Sequence, residues 1–371
     1  MPTVAMVGAG QLARMTHRAA IDLGVELRVL AAAPDDPAVL AGATHLIGSP
    51  EDLGDLRRLA DGADVVTFDH ERIPPELLQA LEGEDVRLAP PAAAKLLAQD
   101  KAHQRRVLAE LGLPVPPFAL VHSREETEAF AAQHGWPLVA KAPRGGYDGR
   151  GVAIVKDAAA APELLGDGVL LEPLLALECE LAVLVARTAA GDEVVYPVAE
   201  TVQRDAMCRE IRVPAAIAPD LAAQAGAFAL EIARDAGVVG LMALELFVVD
   251  GRLLVNEVAL RPHNSGHFTI EGTCTSQFEQ HLRAVLGWPL GLTDLLAPAV
   301  VTVNVVGPPD GGEPDDHLAR ALGVPGVHVH LYGKDPAAGR KLGHVTACGQ
   351  DMDEVAARAR EAASILEGGR R

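Results

Sequence analysis

Two acids stand twelve positions apart in a stretch that otherwise reads as a hairpin. Glu245 lies in GLMALELFVV and Glu257 in RLLVNEV, with Asp250-Gly251 between the two apolar runs. Carboxylates on neighbouring strands can share a Mg²⁺ that also bridges nucleotide phosphates. Register decides whether they meet. A two-residue turn at Asp250-Gly251 opposes Glu245 to Asn256 and sends Glu257 to the other face. A three-residue loop over Val249–Gly251 puts both acids on one face as diagonal neighbours, and this is expected because it strands neither of them.

Other groups of reactive residues surround this pair. The segment Lys141-Ala-Pro-Arg144-Gly145-Gly146-Tyr147-Asp148-Gly149-Arg150-Gly151 packs four glycines into seven positions between two strand-like runs. Such a flap lets backbone amides approach a phosphate closely, with Lys141 as a point charge. It lacks the Gly-Lys-Ser/Thr of a Walker loop. Directly after Glu257 comes Arg261-Pro262-His263-Asn264-Ser265-Gly266-His267, rich in groups that bind an anion or place a proton. Tyr332-Gly333-Lys334 and Gly339-Arg340-Lys341-Leu342-Gly343-His344 form a basic patch suited to a phosphate ester or a carboxylate.

Near the start, Gly8-Ala9-Gly10-Gln11-Leu12-Ala13 follows a strand and opens a helix, as a dinucleotide fingerprint does. The second strand, however, ends without an acid, and the first are Asp35 and Asp36. A phosphate ester on the helix N-terminus, NAD, or simply a tight turn all remain open at this point.

Alternating strands and helices over the first hundred residues imply a parallel sheet covered on both faces: TVAMV, ELRVL and ADVVTF, with VRLAP as a further strand. A helix-like stretch over Pro91–Leu111 ends at LGLPVPPF, a boundary. A β-rich region follows, broken by a helix over about Pro219–Ala236. The linker VVGPPDGGEPDD marks a second boundary before strands at VHVHLY and GHVTAC and a closing helix over Met352–Leu366. Expected domains are therefore 1–98, 99–306 (with a central part near 118–174) and 307–371.

Composition narrows the classes. With 49% hydrophobic and 22% charged residues in 371, a full core is expected and disorder is excluded as the main theme. Lys+Arg total 32 against 51 Asp+Glu, a net −19, so nucleic acid is not an expected partner. Four dispersed cysteines without a CxxC pair argue against structural zinc or a disulfide framework and fit a reducing cytoplasm. Neither a signal peptide nor a membrane span is expected. Only six of the basic residues are lysine (95, 101, 141, 156, 334 and 341), which marks these positions as candidates for a compact ammonium.

Taken in order, GxGQLxRM, GGYDGRG, NExxxRxHNSGH and GRKxGH resemble the ATP-grasp carboxylate–amine ligases, and among them the N5-carboxyaminoimidazole ribonucleotide synthetases of purine biosynthesis (PurK type). The resemblance covers nearly the whole chain. It implies an α/β ATP-grasp fold with an N-terminal Rossmann-like (pre-ATP-grasp) parallel-sheet domain and a small C-terminal α+β domain. It also implies ATP and Mg²⁺ as cofactors, bicarbonate and aminoimidazole ribonucleotide as substrates, and a cytoplasmic homodimer.

By the same resemblance Lys101, Lys141, Gly145, Gly146 and Gly149 contact the nucleotide, with Glu172 at the adenine edge and Glu180 on the ribose. Glu245 and Glu257 ligate Mg²⁺. Arg150, Arg261, His263 and Asn264 serve catalysis, with Arg261 against the charge of carboxyphosphate. Gln11, Glu71, Tyr147, Asp148, Ser265, Lys334, Arg340 and Lys341 surround the substrates. The chain departs from the family at Ala337-Ala338, where Arg-Pro is frequent, at Thr201 and Gln203, where Asn and His are common, and at Asp69, where Glu is usual. These touch ribonucleotide affinity rather than the metal ligands. The rivals are an NAD-dependent oxidoreductase built on the first glycine turn, another ATP-grasp ligase of purine metabolism, and a nucleotide-binding protein without turnover.

Overall fold

The computed structural model of this chain describes residues 1–145, 151–160, 168–204, 207–308 and 312–369. Its first unit contains β1 (Thr3–Val7), α1 (Gln11–Leu23), β2 (Glu26–Ala31), α2 (Pro37–Leu40), β3 (Thr44–Ile47), α3 (Leu53–Ala60), β4 (Val65–Phe68) and α4 (Pro75–Gly83). The strands pair in parallel in the order β3-β2-β1-β4. β1 is buried at every position, and apolar from Val4 on, because both its faces are covered. Val4 and Met6 pack with Ala13 and Ala20 of α1, while Ala5 and Val7 pack with Leu56, Leu59, Leu78 and Leu81 of α3 and α4.

Two expectations need correction here. VRLAP adds only an isolated bridge, Leu88 against Val66, because Pro90 and Pro91 follow and carry no N–H to extend a ladder. The helix expected over Pro91–Leu111 is two helices, α5 (Ala92–Gln99) and α6 (Lys101–Glu110). They part at Asp100, whose carboxylate accepts the His103 amide at 2.9 Å and so caps α6.

A small antiparallel sheet follows: β5 (Ala119–Val121), α7 (Arg124–His134), β6 (Leu138–Lys141), β7 (Val152–Val155) and β8 (Val169–Pro173), ordered β5-β8-β6-β7. Leu138, Ala140, Val169 and Leu171 bury against Phe130 and Ala131 of α7. Alternation therefore turns Lys141 and Glu172 to the opposite face.

The rest of the chain supplies β9 (Cys179–Arg187), β10 (Glu193–Val195), β11 (Ala199–Arg204), β12 (Met207–Val213), α8 (Pro219–Asp235), β13 (Gly240–Val249), β14 (Arg252–Ala259), α9 (Thr269–Gly272), α10 (Gln277–Leu286), β15 (Ala299–Val306), α11 (Leu318–Ala321), β16 (Val327–Leu331), β17 (Lys341–Gly349) and α12 (Met352–Leu366). Among the described residues these strands form one nine-stranded antiparallel sheet, β14-β13-β9-β11-β12-β15-β17-β16, with β10 also on β9. The sheet passes unbroken into the C-terminal unit because β15 pairs with β12 on one side and β17 on the other. No helix among the described residues is long and apolar enough to cross a membrane.

The first unit is tied to the large sheet by His281 of α10. Its Nε2 lies 2.8 Å from Thr67 Oγ1 of β4, and its Nδ1 accepts the Leu241 amide of β13 at 3.1 Å. Desolvation, then the nearby Lys95 charge, pushes this imidazole down to about 3. The unfolded chain takes up the proton near pH 6.5. Stability from a neutral His281 is thus complete above that pH and falls as pH drops from 6.5 towards 3, by up to ~1.4 kcal/mol per unit. Urea midpoints at pH 7.5, 6.5 and 5.5 should show this slope in the parent protein and a shallower one in His281→Gln.

Candidate active site

The hairpin brings its two acids together by a route other than the one expected. The turn has two residues, Asp250 and Gly251, both left-handed at φ 49° and 68°, and Val249 pairs with Arg252. A bulge at Asn256 then shifts the register, so that Leu246 faces Val255 while Glu245 faces Glu257. The core explains why. Leu253, Val255, Val258 and Leu260 all bury in one cluster with Leu244 and Leu246, which strict alternation forbids across 255 and 258. The extra residue resolves this. It returns Glu257 to the face shared with Glu245 and Glu180, the floor of a cleft.

Around that floor the charges pair closely. Lys101 Nζ, at the start of α6, lies 2.7 Å from Glu257 Oε1, and His263 Nε2 lies 3.7 Å from Glu245 Oε1. Desolvation, then the charges of Glu257 and Glu180, pushes Glu245 up to about 7. Desolvation acts on Glu257 too, but Lys101, with Lys141 and His263 behind it, outweighs it and holds this acid below the usual carboxylate range. Two hard oxygen donors held opposite each other suit a divalent cation such as Mg²⁺. Among the described residues no group of three His, Cys, Asp or Glu side chains gathers to hold a metal, so oxygens from a ligand would complete its shell.

Lys141 Nζ sits between two partners, Glu172 Oε2 at 2.7 Å and the bulge residue's Asn256 Oδ1 at 3.1 Å. Glu172 is buried, and its other oxygen is 2.5 Å from Arg105 Nε of α6. Arg105 also donates to the Val255 carbonyl at 3.1 Å. The triad thus locks α6, the small sheet and β14 around Lys141. Gln203 Nε2 donates to Glu180 Oε2 at 3.2 Å, so the residue that departs from the family touches a predicted ribose ligand.

The loop after β14 is set by one amide. Gln277 Oε1 accepts the His263 N–H at 2.8 Å, and its Nε2 donates to the His263 carbonyl at 2.8 Å. Gly266 has to be glycine, since a Cβ there would lie 2.4 Å from Gln277 Oε1. The Ser265 amide donates to His263 Nδ1, and the Ser265 hydroxyl lies 2.9 Å from the same nitrogen. Nδ1 is therefore an acceptor, and the ring hydrogen sits on Nε2, facing Glu245. Half-buried Asn264 belongs to the same turn.

Glu71 is claimed by two cations. Lys95, wholly buried, pairs with its Oε2, and Arg261 Nε lies 3.2 Å from Oε1. Desolvation opposes ionisation of Glu71, yet the two cations hold it below the usual range. At the other rim Lys334 donates to Gln11 Oε1, joining the C-terminal unit to α1. Lys341 is buried. Arg340 is exposed and donates to the Asp335 carbonyl at 3.0 Å. Gly145 is exposed at φ 77°; Gly146, Tyr147, Asp148, Gly149 and Arg150 lie outside the described residues.

The first glycine turn does not offer its Gly10 amide to a dinucleotide. The Gly10 N–H donates to Asp69 Oδ2 at 2.8 Å, and a Cβ on Gly8 would lie 1.8 Å from Asp69 Oδ1. A carboxylate where a pyrophosphate would sit repels it, which removes the oxidoreductase reading.

With this geometry stand three family matches: the ribonucleotide synthetase preATP-grasp domain over residues 1–99, the ATP-grasp domain over 106–278, and the phosphoribosylaminoimidazole carboxylase C-terminal domain over 300–358. The N5-carboxyaminoimidazole ribonucleotide synthase of Mycobacterium tuberculosis is 50% identical, with 100% of this chain and 89% of the relative covered. This chain belongs to the N5-carboxyaminoimidazole ribonucleotide synthases. The crystal structure of the Thermus thermophilus synthetase matches with a TM-score of 0.88 at 36% identity, covering 98% of both chains. The Aspergillus clavatus synthase, solved with ADP and 5-aminoimidazole ribonucleotide, matches with a TM-score of 0.90 at 30% identity, covering 99% of both chains.

Sequence reasoning missed several members of this synthase site. Arg105 and Gln277 lie in plain amphipathic helices and carry no motif. Lys95 left one signal, its place among the six lysines. The triad yields a test. Arg105→Met leaves buried Glu172 short of one cation and should lower stability by about 3 kcal/mol in urea unfolding. Arg105→Met with Glu172→Leu should recover most of that loss, because the buried charge goes with its partner.

Proposed function

We propose that this chain catalyses the ATP-dependent carboxylation of 5-aminoimidazole ribonucleotide by bicarbonate, giving N5-carboxyaminoimidazole ribonucleotide, ADP and phosphate in purine biosynthesis. The observation that carries this reading is Glu245 facing Glu257 in one cleft, with Lys101 on one acid and His263 beside the other. Bicarbonate is a poor electrophile, so it needs activation. A bicarbonate oxygen attacks the γ-phosphorus, and ADP leaves with the electron pair of the broken P–O bond. The exocyclic amine then attacks the carbonyl carbon of carboxyphosphate, or the CO₂ it releases. Phosphate departs and the amine loses one proton.

Glu245 and Glu257 would hold Mg²⁺, which supplies charge neutralisation at the phosphates. Lys101 and Lys141 contact the nucleotide, with Glu172 at the adenine edge and the Glu172–Arg105 pair fixing Lys141 in place. Glu180 takes the ribose. Arg261 and His263, on a loop whose backbone Gln277 clamps, place N–H groups where charge grows on carboxyphosphate, with Asn264 and Arg150 assigned alongside them. Glu71, kept ionised by Lys95 and Arg261, faces the imidazole. Gln11, Lys334, Lys341 and Arg340 take the ribonucleotide phosphate end, with Tyr147, Asp148 and Ser265 completing the substrate set. We further infer units 1–98, 99–306 and 307–371, a homodimer and a cytoplasmic location.

The test is ADP release with Mg-ATP and bicarbonate, with and without the ribonucleotide. A strong dependence on the ribonucleotide is expected. Release indifferent to it would reassign the acceptor, and no release in either case would leave a nucleotide-binding protein. Glu257→Gln should abolish turnover while circular dichroism and the urea midpoint stay near those of the parent. Near-normal turnover would remove Glu257 from the metal.

A further inference from the structure

Behind the basic rim lies a buried aromatic assembly that the reaction scheme above does not use. His344 of β17 stacks on His267 with ring centroids 4.7 Å apart at 26°, and on His330 of β16 at 4.6 Å and 22°. His267 and His344 are fully buried. Gln277 uses its Nε2 on the His263 carbonyl and also reaches His267 Nδ1 at 3.2 Å. One amide therefore touches both the His263 loop and the stack. The outer ring, His330, ends the stack on Glu271 Oε1 at 2.6 Å.

Tyr332 sits at the centre of this arrangement. Its hydroxyl is 2.8 Å from His344 Nδ1, and its ring packs with Leu12 and Met15 of α1 and Phe278 of α10. All three units thus meet on one phenol. Two residues on, past the left-handed Gly333 at φ 68°, the Lys334 ammonium lies 5.4 Å from the Tyr332 ring centroid and donates to Gln11. An ammonium on a four-carbon stem has many rotamers, and a ring face with a fixed polar partner restricts them. The ring is held in turn by its hydroxyl on His344 and by its packing.

We propose that Tyr332 is a positioning residue for the ribonucleotide: its ring carries the Lys334 ammonium, and its bond to His344 ties that cation to the assembly that sets the His263 loop. This rests on the reading of Lys334 as a ribonucleotide contact. Tyr332 touches no reacting atom in this scheme. Its effect falls on the KM of the ribonucleotide through Lys334, not on the chemistry of ATP.

The test uses the full chain with Mg-ATP and bicarbonate, varying the ribonucleotide, for Tyr332→Phe, Lys334→Met and the double variant. Tyr332→Phe deletes only the hydroxyl and should raise the KM of the ribonucleotide roughly fivefold, with kcat moving less than twofold. Lys334→Met should raise it further, and the double variant should be no worse than Lys334→Met alone. If Tyr332→Phe lowers the thermal midpoint without moving KM, or if its effect multiplies in full on that of Lys334→Met, the positioning role is overturned while the site reading stands. A Lys334→Met variant with parental KM overturns the site reading itself, and this inference with it.

Discussion

The constraint on which the rest depends is electrostatic: two carboxylates face each other across neighbouring strands in a chain whose net charge is already −19. Desolvation, and after it the like charge that faces it, is why Glu245 rises to about 7 while Glu257 leans on Lys101. The pair exists only because a bulge at Asn256 reverses the side-chain alternation of β14 between two stretches of core. Without it Val255 and Glu257 would share a face, and one of them would be in the wrong medium. Asn256 also meets Lys141, so the residue that bends the strand helps to hold the second lysine at the cleft.

Cations paired with a shared carboxylate recur at two junctions of the fold. Lys95 and Arg261 share Glu71 between the first unit and the loop after β14. Arg105 and Lys141 share Glu172 between α6 and the small sheet. Buried ion pairs add little to stability against an apolar replacement, and removing one partner alone is costly. Their value here is geometric. Each fixes a cation where the proposed reaction would bring a phosphate or a carboxylate, and each needs side chains from distant parts of the chain.

That need explains what was readable in advance. The glycine-rich flap, the hairpin acids and the two basic runs announce themselves because their residues are close in sequence and chemically improbable as surface. Arg105, Gln277 and Lys95 do not. Each sits in an amphipathic helix where nothing local distinguishes a buried functional polar group from an ordinary one. The break at Asp100 was similarly silent, since a cap inside a long helical pattern shows only once the chain has turned there. At the first glycine turn the sequence offered backbone amides to a phosphate, and Asp69, fifty-nine residues after Gly10, takes the Gly10 N–H.

By itself the sequence determined the class of fold, the order of its units and the set of reactive residues, because periodicity, glycine placement and local clusters are properties of short stretches. It also determined that two acids would belong to one hairpin. Only the tertiary structure decided how they meet. The register of β14 is set by which valines the shared core accepts, and that core is built from β13, α5, α6 and α8 together. The same holds for the rim, where Tyr332, His344 and His267 come from separate strands and loops and are joined by burial. Long-range packing chooses among local possibilities that have nearly equal energy, so no local reading of the chain can make that choice.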